Sequence, residues 1–122
     1  MKKILLLLTI LISSNVFADW VLIGGTPDGD LMYADKDTIL KERNKVKFWR
    51  KINYINPINK MASSRSYEEA DCKKRTLMTL TFSSFSENDF QGKMLSSFEP
   101  PPKIEYIAPD TMDELIYEYV CK

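Results

Sequence analysis

The sequence contains no histidine, and it has only two cysteines and four glycines. Without histidine the chain lacks the commonest general base, the commonest metal ligand and the usual partner of a serine or cysteine nucleophile. The four glycines are too scattered for a GxSxG elbow, a phosphate-binding loop or a GxGxxG fingerprint. The sequence therefore predicts a protein that is not an enzyme and that uses no metal and no cofactor.

Carboxylates are the one catalytic group that the chain has in number, and Glu68, Glu69 and Asp71 are its densest cluster. Two carboxylates that meet in space suffice for acid–base hydrolysis of a glycosidic bond. A run of charges more often marks a solvated strand or turn, and a domain of this length offers little room for a cleft. We therefore interpret this cluster as structural.

Charge of one sign is also missing, because 17 Lys and Arg residues balance 17 Asp and Glu residues. Loss of Lys2 and Lys3 with an N-terminal leader would leave a net charge of −2. The chain thus lacks the bulk basic character of a nucleic-acid binder, and we expect no nucleic-acid partner.

Residues 1–18 contain the three parts of a cleavable signal peptide. Two lysines follow the first methionine, residues 4–12 are apolar, and Val16-Phe17-Ala18 supplies small residues for a cleavage site. The apolar run is much shorter than the roughly 20 residues of a membrane-spanning helix, so we expect no transmembrane segment after cleavage. Asp19 stands where a lipoprotein would have cysteine. The sequence therefore predicts one exported domain, residues 19–122, in the periplasm or associated with the cell surface or outer membrane.

The two cysteines, Cys72 and Cys121, both lie in the exported domain, where disulfides form and persist. Neither belongs to a CxxC motif, and neither has a histidine that would activate its thiol. The sequence therefore predicts one structural disulfide that closes a loop of about 50 residues.

The hydrophobic pattern changes period along the domain. Residues 45–55 alternate in two sets, as a strand does, and residues 75–85 alternate in the same way. Near the end, Thr111 and Glu114 have the spacing of a capping box, and apolar residues recur at helical spacing as far as Val120. We expect an α+β fold, in which an antiparallel sheet carries one C-terminal helix docked on a face and tied by the disulfide. Trp20, Tyr33, Phe82 and the helical stripe (Met112, Leu115, Ile116, Tyr119 and Val120) are predicted to form its core.

One face of the strand at residues 45–55 is the best candidate for binding, because it places an aromatic ring among cations: Lys45, Lys47, Trp49 and Lys51. If exposed, this face would suit an acidic protein surface or a sulfated glycan. The alternative interpretation is that the lysines protect an edge strand while Trp49 packs under the helix.

The order and spacing of several short segments resemble the surface-adhesin protein E family of Gram-negative bacteria across nearly all of residues 19–122. The resemblance rests on Asp19-Trp20-Val21, Tyr33-Ala34-Asp35 followed by Thr38-Ile39, Trp49, Asp71-Cys72, Ala108-Pro109 and the final Cys121-Lys122. The chain departs from the family at Asp110, where the turn before the helix is expected to have glycine.

This resemblance implies a sheet of about six antiparallel strands, a C-terminal helix tethered by the disulfide, and a homodimer. For the best-known family member it implies adhesion to host extracellular-matrix proteins such as laminin and vitronectin. Our first hypothesis is therefore an exported, non-enzymatic binding protein that contacts a host matrix protein. The alternative is a periplasmic structural or stress protein, or a hydrolase inhibitor, that is not displayed on the surface.

Overall fold

The computed structural model describes residues 18–122, which form eight β-strands and one α-helix. The predicted signal peptide falls, except for Ala18, outside the described residues. The strands are β1 (Trp20–Gly25), β2 (Leu31–Asp35), β3 (Leu40–Glu42), β4 (Lys45–Ile58), β5 (Met61–Asp71), β6 (Thr76–Phe85), β7 (Met94–Phe98) and β8 (Glu105–Tyr106), and the helix is α1 (Met112–Val120). Within the described part of the chain, the helix is too short and too polar to cross a membrane.

All strands belong to one antiparallel sheet, whose continuous path runs β1-β2-β4-β5-β6-β7. Two short strands lie off this path, since β3 pairs with the start of β4 and β8 pairs with the start of β6. The predicted sheet of about six strands is thus confirmed, and the α+β assignment with it. The alternation at residues 45–55 predicts only part of β4, which continues through Pro57 to Ile58, and the chain then turns at Asn59 and Lys60, both with positive φ.

The core lies between one face of the sheet and α1. The sheet contributes buried apolar side chains from its four inner strands (Met32, Ala34, Val46, Phe48, Ala70 and Leu77), and the helix contributes Ile116, Tyr117 and Val120. Full burial of a Val, Leu, Ile, Phe or Met side chain stabilises the fold by about 1.5–3 kcal/mol. At β1 the helix approaches bare backbone, because a Cβ on Gly24 would lie 2.8 Å from Leu115 Cδ1.

The N-terminus of α1 is capped much as the sequence predicts. Thr111 Oγ1 accepts a hydrogen bond from the Glu114 amide at 3.2 Å, while Glu114 Oε1 accepts one from the amide of Asp110, not of Thr111. Asp110 has a φ of 59°, a conformation that glycine adopts most easily. This explains why glycine is expected there in the family and shows that aspartate can occupy the same turn.

The predicted disulfide is present and joins the residue after β5 to the residue after α1. Cys72 and Cys121 are bonded, and their Cα atoms lie 5.6 Å apart. The hydroxyl of Tyr117 donates a hydrogen bond to the Cys72 carbonyl at 2.8 Å. The disulfide and this hydrogen bond therefore both connect α1 to the end of β5.

The core prediction was partly wrong. Leu115, assigned to the buried stripe, is 46% exposed, whereas Tyr117, which the stripe omitted, is buried. Trp20 and Tyr33 are half-buried on the sheet face away from the helix, and Phe82 is half-buried beside a cavity. A nine-residue helix covers only part of a six-strand sheet, so aromatic residues outside its reach pack on other elements.

Candidate functional site

The four residues singled out for binding do share one face of β4. Their alternates Val46 and Phe48 pack in the core beneath α1, so Lys45, Lys47, Trp49 and Lys51 point away from the helix. The alternative interpretation, in which Trp49 packs under the helix, is therefore wrong. The structure separates the four into two groups with different surroundings.

Lys45 and Lys47 line a surface groove of about 470 Å³ at the end of the sheet where β3, β4 and β5 meet the β5–β6 turn. The groove has five cationic side chains (Arg43, Lys45, Lys47, Lys73 and Lys74) and three carboxylates (Glu42, Glu69 and Asp71). Lys45 lies 3.5 Å from Glu69, but its side chain is 59% exposed. The lining therefore carries an excess of positive charge that remains accessible to a partner.

Asp71 shapes the groove because it organises the β5–β6 turn. Its Oδ1 accepts hydrogen bonds from the backbone amides of Lys74 and Lys73, at 2.9 and 3.0 Å. These hydrogen bonds, that of Lys74 first, hold the pKa of Asp71 below its ordinary value. The carboxylate thus stays ionised while it fixes the two neighbouring lysines at the rim.

Trp49 continues the surface next to Lys47 and belongs to a stack of aromatic and cationic side chains. Its ring centroid lies 4.7 Å from that of Tyr67 on β5. The Arg65 guanidinium lies 5.9 Å from the Trp49 centroid and 5.1 Å from that of Phe90. Since Trp49 is half-buried, one part of its ring is fixed by this stack and another part meets solvent.

Lys51 lies in a different environment, because its side chain is buried among aromatic rings. Its Nζ is 4.3 Å from the ring centroid of Tyr33 and 5.2 Å from that of Trp20, and it pairs with Asp89 Oδ1 at 2.8 Å. Only 7% of Lys51 is exposed. The side chain therefore holds internal elements together and does not form part of the accessible groove.

The partner of Lys51 lies in a turn, Asn88–Phe90, that folds over this face of the sheet. Asp89 and Phe90 both have positive φ, at 55° and 64°. Asn53 clasps Asp89 twice, donating from Nδ2 to the carboxylate and accepting from the Asp89 amide, both at 2.9 Å. The hydrogen bonds from Asn53 and Lys51 lower the pKa of Asp89.

On the helix side, Arg50 lies next to two carboxylates, and 12% of its side chain is exposed. It pairs with Glu68, which is 2% exposed, through Nε and Nη2, and its Nη1 donates to Asp113 Oδ1 at 2.6 Å. Burial disfavours the charged guanidinium, but Glu68 and Asp113 outweigh it and raise the pKa of Arg50. Arg50 interrupts an otherwise apolar set in the sequence, which was a readable signal for a buried ion pair. No signal in the sequence pointed to Asp89 as the partner of Lys51.

In residues 18–122 no three His, Cys, Asp or Glu side chains are grouped so that they could hold a metal ion. The arrangement on the groove side is instead one of charge and aromatic surface, which suits recognition of another molecule.

Residues 20–122 match the model of a family described as surface-adhesin protein E. A search of curated proteins finds no match.

Solved structures of Haemophilus influenzae protein E share the fold. Crystal form II has a TM-score of 0.65 at 18% identity, covering 89% of this chain and 91% of that one. The selenomethionine form has a TM-score of 0.63 at 18% identity, with coverage of 89% and 90%. Protein E from non-typeable H. influenzae has a TM-score of 0.61 at 18% identity, with coverage of 89% and 79%.

Proposed function

Because the chain belongs to the surface-adhesin protein E family, we propose that it is an exported, non-enzymatic surface adhesin that contacts a host extracellular-matrix protein. The family match extends over residues 20–122, so the domain as a whole supports the proposal and not a single motif. In this proposal the partner presents an acidic surface to the groove that contains Lys45 and Lys47.

The observation that carries this proposal is the accessible excess of positive charge in the groove, next to a half-buried tryptophan. A positive patch steers and orients an acidic partner, and a partly exposed aromatic ring can bury apolar area at its edge. Lys45 and Lys47 would contact the partner, and Trp49 would form the apolar border of the contact. Lys51 would support the face from within, because it is buried against Tyr33 and Trp20.

The first experiment measures binding to immobilised laminin and vitronectin. In the Lys45→Glu, Lys47→Glu double variant we expect binding to fall by about tenfold or more at low salt, since like charges then face each other. The matched control is Lys60→Glu, Lys93→Glu, which changes the net charge equally at exposed positions outside the groove. Equal loss in both variants would contradict the groove as the contact. Immobilised heparin in a parallel assay tests whether a sulfated glycan is the partner.

The second experiment tests display on intact cells with an epitope placed after Lys122 and a periplasmic marker as control. Protease should remove the epitope while the marker survives. Protection of the epitope until the outer membrane is broken would contradict the adhesin proposal and favour the periplasmic structural, stress or inhibitor role. The homodimer stays a prediction, which light scattering of the purified protein would check.

A further inference from the structure

The sheet face that carries α1 also contains a cavity of about 670 Å³ beside the helix. Pockets that hold small organic ligands fall in this range of volume. Its apolar walls come from β6, β7 and the connector between β7 and β8, and they consist of Leu77, Phe82, Phe98, Pro100, Pro101 and Pro102. The binding groove proposed above lies on the opposite face, so the two sites are independent.

The floor of the cavity contains one cation and two carboxylates. Arg50 directs its guanidinium donors at Glu68 and Asp113, and Thr79 Oγ1 donates to Glu68 Oε1 at 3.3 Å. The donors of Arg50 and Thr79 are therefore directed at the two carboxylates of the floor and not at the open space of the cavity. One negative charge is left over, and the rim pair of Lys103 and Glu105 adds no net charge.

Asp113 is the carboxylate that can accept a further hydrogen bond. Its Oδ1 accepts from Arg50, while its Oδ2 accepts no hydrogen bond from any residue in the described range 18–122, and its side chain is 41% exposed. It lies in the first turn of α1. The proline wall supplies no amide donor, because proline has no N–H. A ligand in this cavity meets acceptors and negative charge.

The aromatic wall favours the same kind of ligand. The rings of Phe82 and Phe98 lie with centroids 5.7 Å apart and planes at 52° to each other, and Phe98 is 52% exposed. Aromatic faces attract cations and also pack against apolar groups. One ligand can therefore satisfy both parts of the cavity if it joins a cation to an apolar body.

We propose that this cavity binds an organic ammonium or guanidinium group on an apolar body. The cation would donate to Asp113 Oδ2 above the Arg50–Glu68 pair, and the apolar body would lie against Phe82 and Phe98. Two sources carry this chemistry, a free amine or a Lys or Arg side chain of a partner protein, and the experiment distinguishes them.

The probe for a free amine is 2-phenylethylamine, with 3-phenylpropanoate and 2-phenylethanol as matched anionic and neutral controls. Each would be titrated into ¹⁵N-labelled protein purified from cells that express the full chain, with amide shifts at Thr79, Phe98 and Asp113 as the readout. We expect the amine to bind about tenfold more tightly than the neutral analogue, with the anion weakest. The blocked dipeptide acetyl-Phe-Lys-amide tests the side-chain source.

Three variants connect the binding to the cavity. Phe98→Ala should weaken the amine and the neutral analogue alike, whereas Leu95→Ala, on the same strand but outside the cavity, should change neither. Asp113→Asn should weaken only the amine and so remove the preference for charge. Thermal unfolding of each variant verifies that it is folded.

Shifts in the cavity together with tighter binding of the amine than of the neutral analogue would support the proposal, and the cationic probe that binds more tightly would identify the source. The proposal would be overturned by equal affinity for all three phenyl compounds, by tighter binding of the anion, or by shifts that lie only outside the cavity. Absence of binding by both cationic probes to the wild-type protein would overturn it as well.

Discussion

Arg50 and Lys51 are adjacent in β4 and point to opposite faces of the sheet, where Arg50, with 12% of its side chain exposed, pairs with Glu68 and Lys51 is buried against Tyr33. A strand alternates its side chains, so two neighbouring cations can each anchor a different layer. Arg50 joins the sheet to α1 through Asp113, and Lys51 joins it to the Asn88–Phe90 turn through Asp89. The centre of β4 is thus connected to the elements that pack on both faces of the sheet.

Arg50→Met should destabilise the protein by about 3–5 kcal/mol, because it leaves the Glu68 carboxylate buried without its partner. Urea unfolding at neutral pH measures the loss. Adding Glu68→Gln should restore most of the stability, since the side chain is then neutral and can still bond to Ser66 and Thr79. If the double variant is less stable than the single one, the uncompensated charge is not the cause.

Lys51→Ala should cost about 2–3 kcal/mol, because it removes a buried stem and the contacts of its ammonium with Tyr33 and Trp20. Lys47→Ala is the matched control on the same face and strand, and we expect it to stay within about 0.5 kcal/mol of the wild type. Amide shifts in the Asn88–Phe90 turn should move in the first variant only. Similar unfolding free energies for the two variants would contradict the anchoring role of Lys51.

The double variant Cys72→Ser, Cys121→Ser should lose about 4 kcal/mol of unfolding free energy, the chain-entropy estimate for a loop of this length. Reduction of the wild-type protein with a thiol should give a loss of similar size. The hydrogen bond from Tyr117 to the Cys72 carbonyl would remain to hold α1 near β5. A loss below about 1 kcal/mol in both cases would show that the corner is fixed without the bond.

The contribution of Asp89 should depend on pH in a definite direction. Hydrogen bonds from Asn53 and Lys51 lower the pKa of Asp89 in the folded state from its ordinary value of 3.8. A lowered pKa gives stability that is present above that value and is lost as the pH falls through the folded pKa. Asp89→Asn should therefore be less stable than wild type at neutral pH, with a difference that disappears in acid.

Unfolding curves of both proteins between about pH 2 and 7 would check this dependence on pH. Asn53→Ala should raise the pKa of Asp89, because it removes the hydrogen bond that Asn53 Nδ2 donates to the carboxylate. NMR titration of the Asp89 carboxyl carbon measures this pKa. A stability difference that grows toward acid would contradict the prediction.

Much of the fold was readable from local pattern. Alternation at residues 45–55 correctly separated the two faces of β4, and the spacing of Thr111 and Glu114 located the start of α1. The disulfide of Cys72 and Cys121 needed only the assumption of export and the presence of two cysteines. The strand faces and the helix start depend on residues that are close in sequence, and two cysteines can form only one disulfide within a chain.

The surroundings of the candidate residues were not readable in the same way. Alternation places Lys51 on a face but does not say what covers that face, and its partners Trp20, Tyr33 and Asp89 come from segments distant in sequence. The same limit explains Leu115, whose exposure depends on which part of the sheet a short helix covers. Tertiary contacts therefore separate the predicted lysine face into an accessible groove with Lys45 and Lys47 and a buried Lys51.

The position of the disulfide also determines how the chain would respond to mechanical force. A pull applied between Asp19 and Lys122 reaches Cys121 and passes directly through the bond to Cys72, so the chain between the two cysteines carries no tension. That segment spans a sequence separation of 49 residues, and its full extension would be roughly 160 Å at about 3.3 Å per residue. Stretching can therefore peel away β1 to β5, while β6, β7, β8 and α1 stay inside a closed loop that cannot lengthen until the bond is reduced.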